Sequence, residues 1–158
     1  MASKVKPIPD GYHTITPYLS IKGVAAALEF YKRAFGAKEI YRLGMPDGRI
    51  GHAELQIGNS RIMMADEMPE MPDAIAQSPK SLGGTTSGMC IYVADVDAQF
   101  HRAVEAGATV KRPVKDQFYG DRSGTVEDPF GHLWTIATHI EDVSMEEIGR
   151  RAATLSKN

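Results

Sequence analysis

The stretch FYKRAFGA, Phe30 to Ala37, decides the fold because a variant of it, FHRAVEAGA, returns at Phe100 to Ala108. Each copy follows a short β-prone stretch, ends in Gly-Ala and runs on into further strand patterns. Gly36 and Gly107 lie 71 positions apart, close to half of the 158-residue chain. The sequence therefore predicts one strand–helix–strands unit present twice, and a duplicated unit of this kind is expected to hold a ligand between its copies.

The first copy has the pattern of a βαβββ module. Val24 to Phe35 carries apolar residues at helical spacing and stops at Gly36, a residue that favours the left-handed conformation found after helix ends. Pro17 lies within the β-prone run before this helix and predicts an edge position or a bulge there. The predicted strands are Ile15 to Ile21, Glu39 to Leu43, Ile50 to Ile57 and Arg61 to Asp66, with a hairpin turn at Gly58-Asn59-Ser60.

The second copy repeats this order. Asp95 is a suitable N-cap for a helix from about Val96 to Ala106. The segment Asp128 to Gly131 has proline second and glycine fourth, which predicts a type I turn. The predicted strands are Met89 to Val93, Thr109 to Arg112, Gln117 to Tyr119, Gly124 to Glu127 and Leu133 to His139.

We therefore predict an α+β protein with four segments: module one over 12–66, a connection over 67–87, module two over 88–139, and a C-terminal helix and tail over 140–158. The connection contains three prolines and one short helical turn is expected near Asp73 to Gln77. Ser144 and Glu147 match a capping box, so a helix is predicted from Met145 to about Leu155.

Composition excludes several classes of protein. The chain is 42% hydrophobic and 24% charged, as soluble domains are, and its net charge of −2 gives no reason to expect nucleic acid or a membrane surface as partner. No apolar run approaches the roughly 20 residues of a membrane span, and the N-terminal stretch has no apolar signal core. The single cysteine, Cys90, is expected to be a small buried apolar residue in a cytoplasmic protein.

Taken together, these segments resemble the vicinal-oxygen-chelate superfamily, which includes glyoxalase I, bleomycin- and fosfomycin-resistance proteins and extradiol dioxygenases. The resemblance is strongest to PhnB-like members and covers residues 12 to about 151. It is carried by TPYLSIKG (Thr16 to Gly23), LEFYKRAFGAKEI (Leu28 to Ile40), GHAELQIGNSRIMMADE (Gly51 to Glu67), FYGDRSGTVEDPFGHLWTIATH (Phe118 to His139) and EDVSMEEIGRR (Glu141 to Arg151).

The resemblance implies two βαβββ modules that form an incomplete barrel around a cavity, and frequent homodimers. In metal-dependent members it also implies a divalent ion, held by one His, Glu or Gln from the first strand and one from the last strand of each module. The matching positions here are Thr16, Met63 (Met64 if the register shifts by one), Gly88 and Thr135. Because none is of a ligand type, we predict no cofactor, and a divalent metal belongs only to the alternative function below.

His52 and Glu54 are the first candidate site residues. They lie two apart on a predicted strand and share one face, where they would line a cavity, act as an acid–base pair or bind a metal. The alternative is an ordinary polar outer face, since Ala53 and Leu55 between and beside them are typical of a core.

The segment from Gln117 to Arg122 is the second candidate. Phe118 and Tyr119 offer aromatic stacking area, and Arg122 offers a guanidinium suited to a carboxylate or phosphonate. Alternatively, Asp121 and Arg122 pair with each other. Met64 and Trp134 complete the predicted binding set, each with core packing as its alternative, whereas His132 is expected to be exposed.

The function that these residues favour is binding, without metal, of a small, partly aromatic or amphipathic molecule between the modules. The alternative is a metal-dependent lyase, isomerase or dioxygenase of the glyoxalase type with unusual ligands. Its first candidate donors are His52, Glu54, Asp66 and His139. The expected partners are a small-molecule ligand and a second copy of the chain.

Overall fold

A computed structural model describes residues 5–71 and 77–155, which divide into two compact units between Gly84 and Thr85. The first unit has the predicted βαβββ order followed by a short helix. Its elements are β1 (Tyr18–Ile21), α1 (Val24–Phe35), β2 (Lys38–Gly44), β3 (Ile50–Ile57), β4 (Ser60–Asp66) and α2 (Pro79–Leu82). The strands form one open sheet in the order β1-β4-β3-β2, in which only the pair β1 and β4 is parallel.

The second unit repeats the same topology and so confirms the duplication. Its elements are β5 (Gly88–Tyr92), α3 (Val96–Glu105), β6 (Thr109–Asp116), β7 (Asp121–Glu127), β8 (Leu133–His139) and α4 (Met145–Leu155). The sheet order is β5-β8-β7-β6, again with one parallel pair. The fold class is therefore α+β with two βαβββ modules and a C-terminal helix, as predicted.

In the first unit, α1 packs on one face of the sheet. Its predicted apolar stripe is buried throughout, and Leu28 and Tyr31 are fully enclosed. Because strand side chains alternate between faces, Ala53 and Leu55 lie in this core while His52 and Glu54 point to the opposite face. Burial of the helix stripe thus determines which side chains the sheet presents on its other side.

Asp66, at the end of β4, ties three segments of this unit together. Its carboxylate accepts hydrogen bonds from the backbone N–H groups of Gly23 (2.8 Å) and Val24 (3.0 Å), where α1 begins, and from that of Ile50 (2.7 Å). These bonds satisfy otherwise unpaired donors at a helix start, and a carboxylate there is also favoured by the helix dipole. Asp66 therefore has a structural role rather than the donor role of the alternative function.

The second unit contains a comparable buried carboxylate in the predicted type I turn. Gly131 N–H donates to the Asp128 carbonyl (3.1 Å), which confirms the turn. The Asp128 side chain accepts from Phe130 N–H (2.9 Å), His132 N–H (3.0 Å) and the Trp134 indole (2.9 Å). His132 is only 7% exposed, so the expectation of an exposed histidine is wrong: the turn folds back onto β8 and encloses it.

The strand boundaries differ from the prediction by more than one residue at two places, the start of β1 and the β6–β7 hairpin. β1 begins at Tyr18 rather than Ile15, because Pro17 has no N–H to donate, although its carbonyl still accepts from Met63 N–H (2.9 Å). Residues 117–120 form a turn rather than a strand, since β6 extends to Asp116 and β7 begins at Asp121.

Two further expectations concern shorter features. Cys90 is exposed on β5 rather than buried. It shares a sheet face with its partner Thr135 on β8, and neighbouring Trp134 turns to the other face, toward α3. The helical turn expected near Asp73 to Gln77 lies almost entirely outside the described residues, while α2 was not predicted.

Ser144 caps α4 as predicted, because Glu147 N–H donates to Ser144 Oγ (3.2 Å), but the Glu147 carboxylate accepts from Arg150 and Arg151 rather than completing the capping box. Arg151 attaches the helix to the β6–β7 turn by donating to the Phe118 carbonyl (3.2 Å), and to the segment after β8 by donating to both oxygens of Glu141 (2.8 and 2.9 Å). None of the described helices combines the length and apolar composition needed to cross a membrane.

Candidate functional site

The face of the first sheet that points away from α1 carries the predicted pair His52 and Glu54. Both lie on β3, and Glu54 is directly opposite Met63 on β4. His52 Nε2 is 3.1 Å from Glu54 Oε1, so the two side chains form a hydrogen-bonded pair, as their spacing predicts. Both are partly buried, with side chains 25% and 16% exposed.

Two tyrosines extend the pair into a chain of hydrogen bonds. The Tyr18 hydroxyl on β1 lies 3.0 Å from His52 Nδ1, and the Tyr12 hydroxyl donates to Glu54 Oε2. A neutral imidazole satisfies every partner if Nε2–H donates to the carboxylate and Nδ1 accepts from Tyr18. In that arrangement Glu54 keeps its negative charge.

The surroundings of Glu54 and Tyr12 fix their protonation states at neutral pH. Burial raises the pKa of Glu54, but hydrogen bonds from Tyr12 and His52 outweigh it and leave that pKa below its usual value. Burial and the bond to Glu54 raise the pKa of Tyr12. The carboxylate is therefore ionised and the phenol protonated.

Arg61 on β4 holds Tyr12 from its other side. The guanidinium carbon lies 4.4 Å from the centre of the Tyr12 ring, a cation–π arrangement. Its Nε is buried and finds no hydrogen-bond partner among residues 5–71 and 77–155. A Cβ at Gly11, where φ is 84°, would come within 2.5 Å of the Arg61 guanidinium, so glycine permits this close approach. Together these contacts fasten the segment before β1 onto the sheet.

A pocket of about 540 Å³ lies where this segment meets the sheet. One side is formed by residues between Pro7 and Thr16, including Ile8 and Tyr12, and the other by Glu54 and Met63. We call it the Glu54 pocket. Its volume is within the range of small-molecule sites, and it combines apolar walls with a few fixed polar groups, as such sites do.

The residues present do not fit the family's divalent ion. Thr16 and Met63 line the Glu54 pocket but offer no His, Glu or Gln donor. Thr135 Oγ1 is hydrogen-bonded to Thr125 Oγ1 (3.1 Å), and Gly88 has no side chain. Across the described parts of the chain, no group of three or more His, Cys, Asp or Glu side chains is placed to hold a metal ion.

Met64 and Trp134 are corrections to the predicted binding set. Met64 is 0% exposed and packs toward α1 with its strand partners Leu19 and Ala53, so the adjacent Met63 faces the pocket instead. Trp134 is 1% exposed, and its indole N–H is bound by Asp128. Both side chains are core residues because strand alternation turns them toward the helices.

Near the β6–β7 turn, the aromatic residues contact each other and the arginine forms ion pairs within the protein. Phe118 and Tyr119 contact each other edge to face with ring centres 5.2 Å apart, and Tyr119 stays 38% exposed. Arg122 binds both carboxylate oxygens of Asp97 (2.7 and 2.8 Å) and Asp116 (2.8 Å). Three of its five N–H donors are thus used in joining β7 to α3 and β6, which argues against the predicted role as an anion-binding group.

Asp121 does not pair with Arg122. It accepts from the Tyr92 hydroxyl (2.8 Å) and contacts His139 Nδ1 (2.8 Å), while His139 Nε2 contacts Asp142 (3.0 Å). His139 therefore lies between two carboxylates of its own unit.

This arrangement predicts a pH effect on stability. Hydrogen bonds to Asp142 and Asp121 raise the pKa of His139 above its usual value. The resulting stabilisation is complete below about pH 6.5, the unfolded value, and is lost as pH rises through the folded-state pKa. Urea unfolding of the parent and of His139→Gln from pH 5 to 9 should show a difference that shrinks with rising pH, and Asp142→Asn should reduce the same difference. A difference that is constant over this range would contradict the assignment.

Sequence reasoning missed three residues of the site. Tyr18 had a usable signal, because burial of Leu19 and Ile21 by alternation turns Tyr18 to the face of His52. Arg61 likewise alternates with buried Ile62. Tyr12 lies outside any periodic element, so no pattern in the sequence indicates its contact with Glu54, which is 42 positions away.

Comparison with known proteins places the chain among proteins of one family. A family model described as Glyoxalase/Bleomycin resistance protein/Dioxygenase superfamily matches residues 12–136. An uncharacterized protein of Mycobacterium tuberculosis is 42% identical over 148 residues, covering 94% of this chain and 84% of the relative. The crystal structure of TioX from Micromonospora sp. ML1 is similar with a TM-score of 0.62 and 27% identity over 81% of this chain and 99% of TioX. The crystal structure of protein PA1353 from Pseudomonas aeruginosa is similar with a TM-score of 0.60 and 25% identity, and the match covers 82% of this chain and 99% of PA1353.

Proposed function

Because the chain belongs to the glyoxalase/bleomycin resistance protein/dioxygenase superfamily, we propose that it binds a small, partly aromatic or amphipathic molecule in the Glu54 pocket without a metal ion. The observation that carries the proposal is the pocket itself, whose polar groups are already held in place. Tyr12, Glu54 and His52 are linked in that order by hydrogen bonds within the protein itself. Such preorganisation reduces the ordering cost of binding.

The lining supports an amphipathic ligand. Ile8 and the flanking Pro7 and Pro9 present apolar surface, and Met63 on the opposite side has a flexible, polarisable side chain that adapts to varied shapes. Glu54 adds a hydrogen-bond acceptor at one side of these apolar walls. A ligand with one polar end and an aromatic or aliphatic body matches this distribution.

The absence of ligand-type side chains at the family's ion positions supports the metal-free part of the proposal. The alternative metal-dependent enzyme would need donors from Asp66 or His139, but Asp66 serves the start of α1 and His139 lies between Asp121 and Asp142. We also propose that the chain is a PhnB-like member and forms a homodimer, as the resemblance of the segments Thr16 to Gly23 and Leu28 to Ile40 implies. A monomer measured by light scattering would refute the dimer.

A pocket-filling variant tests the binding function. Met63→Trp places an indole in the Glu54 pocket, and Met71→Trp makes the same change at an exposed site of the same unit. We expect the neutral probe 2-naphthylmethanol to shift the Met63 methyl resonance of the parent protein. Its affinity should fall about tenfold or more in Met63→Trp, through loss of the apolar contact area, and stay unchanged in Met71→Trp.

Circular dichroism establishes that both variants are folded. Equal probe affinity in folded Met63→Trp and in the parent, or no effect of the probe on the Met63 resonance, would refute binding in the Glu54 pocket.

A further inference from the structure

The charges around the Glu54 pocket are unevenly distributed. Among its lining residues, all of which belong to the described part of the chain, Glu54 is the only carboxylate and none is a lysine or an arginine. The remaining polar lining consists of hydroxyl groups from Tyr12, Thr14 and Thr16 and the imidazole of His13. A ligand in this pocket therefore meets one fixed negative charge.

The Glu54 carboxylate can accept further hydrogen bonds from a ligand. Each carboxylate oxygen accepts one bond, Oε1 from His52 and Oε2 from Tyr12. A carboxylate has about four lone-pair sites, so acceptor capacity remains on both oxygens. On its other side His52 Nδ1 lies 3.0 Å from the Tyr18 hydroxyl, and His52 is not among the residues that line the pocket.

Arg61 on β4 is a cation in contact with this network, but its contact is with Tyr12 rather than with the pocket. Its guanidinium lies against the ring of Tyr12, 4.4 Å from the ring centre, and Arg61 is not among the residues that line the pocket. It moderates the field of Glu54 without offering a donor to an anionic ligand. An anion in the pocket would meet Glu54 with no compensating lysine or arginine in the lining.

We infer that the Glu54 pocket selects amphipathic cations, with a protonated amine seated on the Glu54 carboxylate and the apolar body against Ile8, Pro9 and Met63. This inference rests on the proposed binding function and specifies the chemical class of its ligand. An amine donates a charge-assisted hydrogen bond, which is about twice as strong as a neutral one and more so in a partly buried site. An isosteric carboxylate would be repelled by the same group.

Three probes of similar shape test the selection: 2-naphthylmethylamine, 2-naphthylmethanol and 2-naphthoate. Titrations at neutral pH and low salt, followed by NMR of the labelled methionine methyl groups, report binding at the Met63 side of the pocket. We expect the amine to bind about tenfold more tightly than the alcohol, and the carboxylate more weakly than either. Added salt should reduce the advantage of the amine, since screening weakens the charge interaction.

Two variants separate charge from geometry. Glu54→Gln keeps an acceptor for Tyr12 but removes the charge, so the ratio of amine to alcohol affinity should fall to about one, whatever the alcohol's own affinity becomes. Tyr12→Phe removes one hydrogen bond and retains the carboxylate and the ring against Arg61, so the preference for the amine should persist.

The outcomes distinguish this inference from the function on which it rests. If all three probes bind to the parent with equal affinity, or if Glu54→Gln keeps the full amine preference, the pocket binds ligands but the charge selection is wrong. If none of the probes binds at millimolar concentration, both the binding function and the selection are refuted.

Discussion

Asp128→Ala should lower the free energy of unfolding by about 3–5 kcal/mol, because it leaves three donors in the second unit without their acceptor. Two of these donors are the backbone N–H groups of Phe130 and His132, and the third is the indole of Trp134. Asp128 is only 2% exposed and Trp134 1%, so water cannot easily replace the lost bonds. Each unsatisfied buried donor costs about 1–3 kcal/mol.

Asp128→Asn is the matched control for this change. An asparagine oxygen in place of Oδ1 still accepts from Phe130 and His132, whereas the amide nitrogen faces the Trp134 indole N–H and cannot accept from it. We expect a loss of roughly half that of the alanine variant. Urea unfolding followed by Trp134 fluorescence measures both, and an alanine variant within about 1 kcal/mol of the parent would show that the turn is held by other contacts.

The three longer helices, α1, α3 and α4, and most strands could be predicted from the sequence because their signals are local. The apolar stripe of α1 has helical spacing and ends at Gly36, and the β3–β4 hairpin is marked by Gly58-Asn59. Repetition of the same signals in the second half predicted the second module without any knowledge of tertiary contacts. Pro17 shortened β1 for a reason that the sequence also contains, since proline lacks the N–H that pairing needs.

The candidate site could be predicted only in part, because its remaining contacts depend on register and on distant segments. Alternation alone predicted that His52 and Glu54 share a face. The choice between Met63 and Met64 required the register of β4 against β3, which pairs Glu54 with Met63. Tyr12 reaches Glu54 from an irregular segment, so neither propensity nor periodicity indicates this contact.

The partner of Arg122 likewise could not be predicted, because it depends on a distant segment. Its guanidinium suits a bound carboxylate or phosphonate, but the group that it binds here is the carboxylate of Asp97, 25 positions earlier at the start of α3. A guanidinium and a carboxylate satisfy each other within the protein as well as a ligand would. Residue type therefore identified the chemistry correctly while the tertiary fold decided the partner.

The second large expected effect concerns metal content, since the proposal and its alternative differ by a whole ion per chain. The family positions Thr16, Met63, Gly88 and Thr135 supply no imidazole or carboxylate, and a divalent ion needs several such donors at one point. His52 and Glu54 are the nearest substitutes, but each is committed to a tyrosine as well as to the other. We therefore expect no tight site for zinc, manganese, nickel or iron.

Inductively coupled plasma mass spectrometry tests most directly whether the protein holds a metal ion. The protein is purified without chelators, incubated with each of these metals and then desalted. The parent, His52→Ala, Glu54→Gln and the surface control His101→Ala should all retain far less than one ion per chain. Retention of about one ion per chain by the parent and by His101→Ala, lost in His52→Ala or Glu54→Gln, would contradict the metal-free account and favour a metal-dependent enzyme.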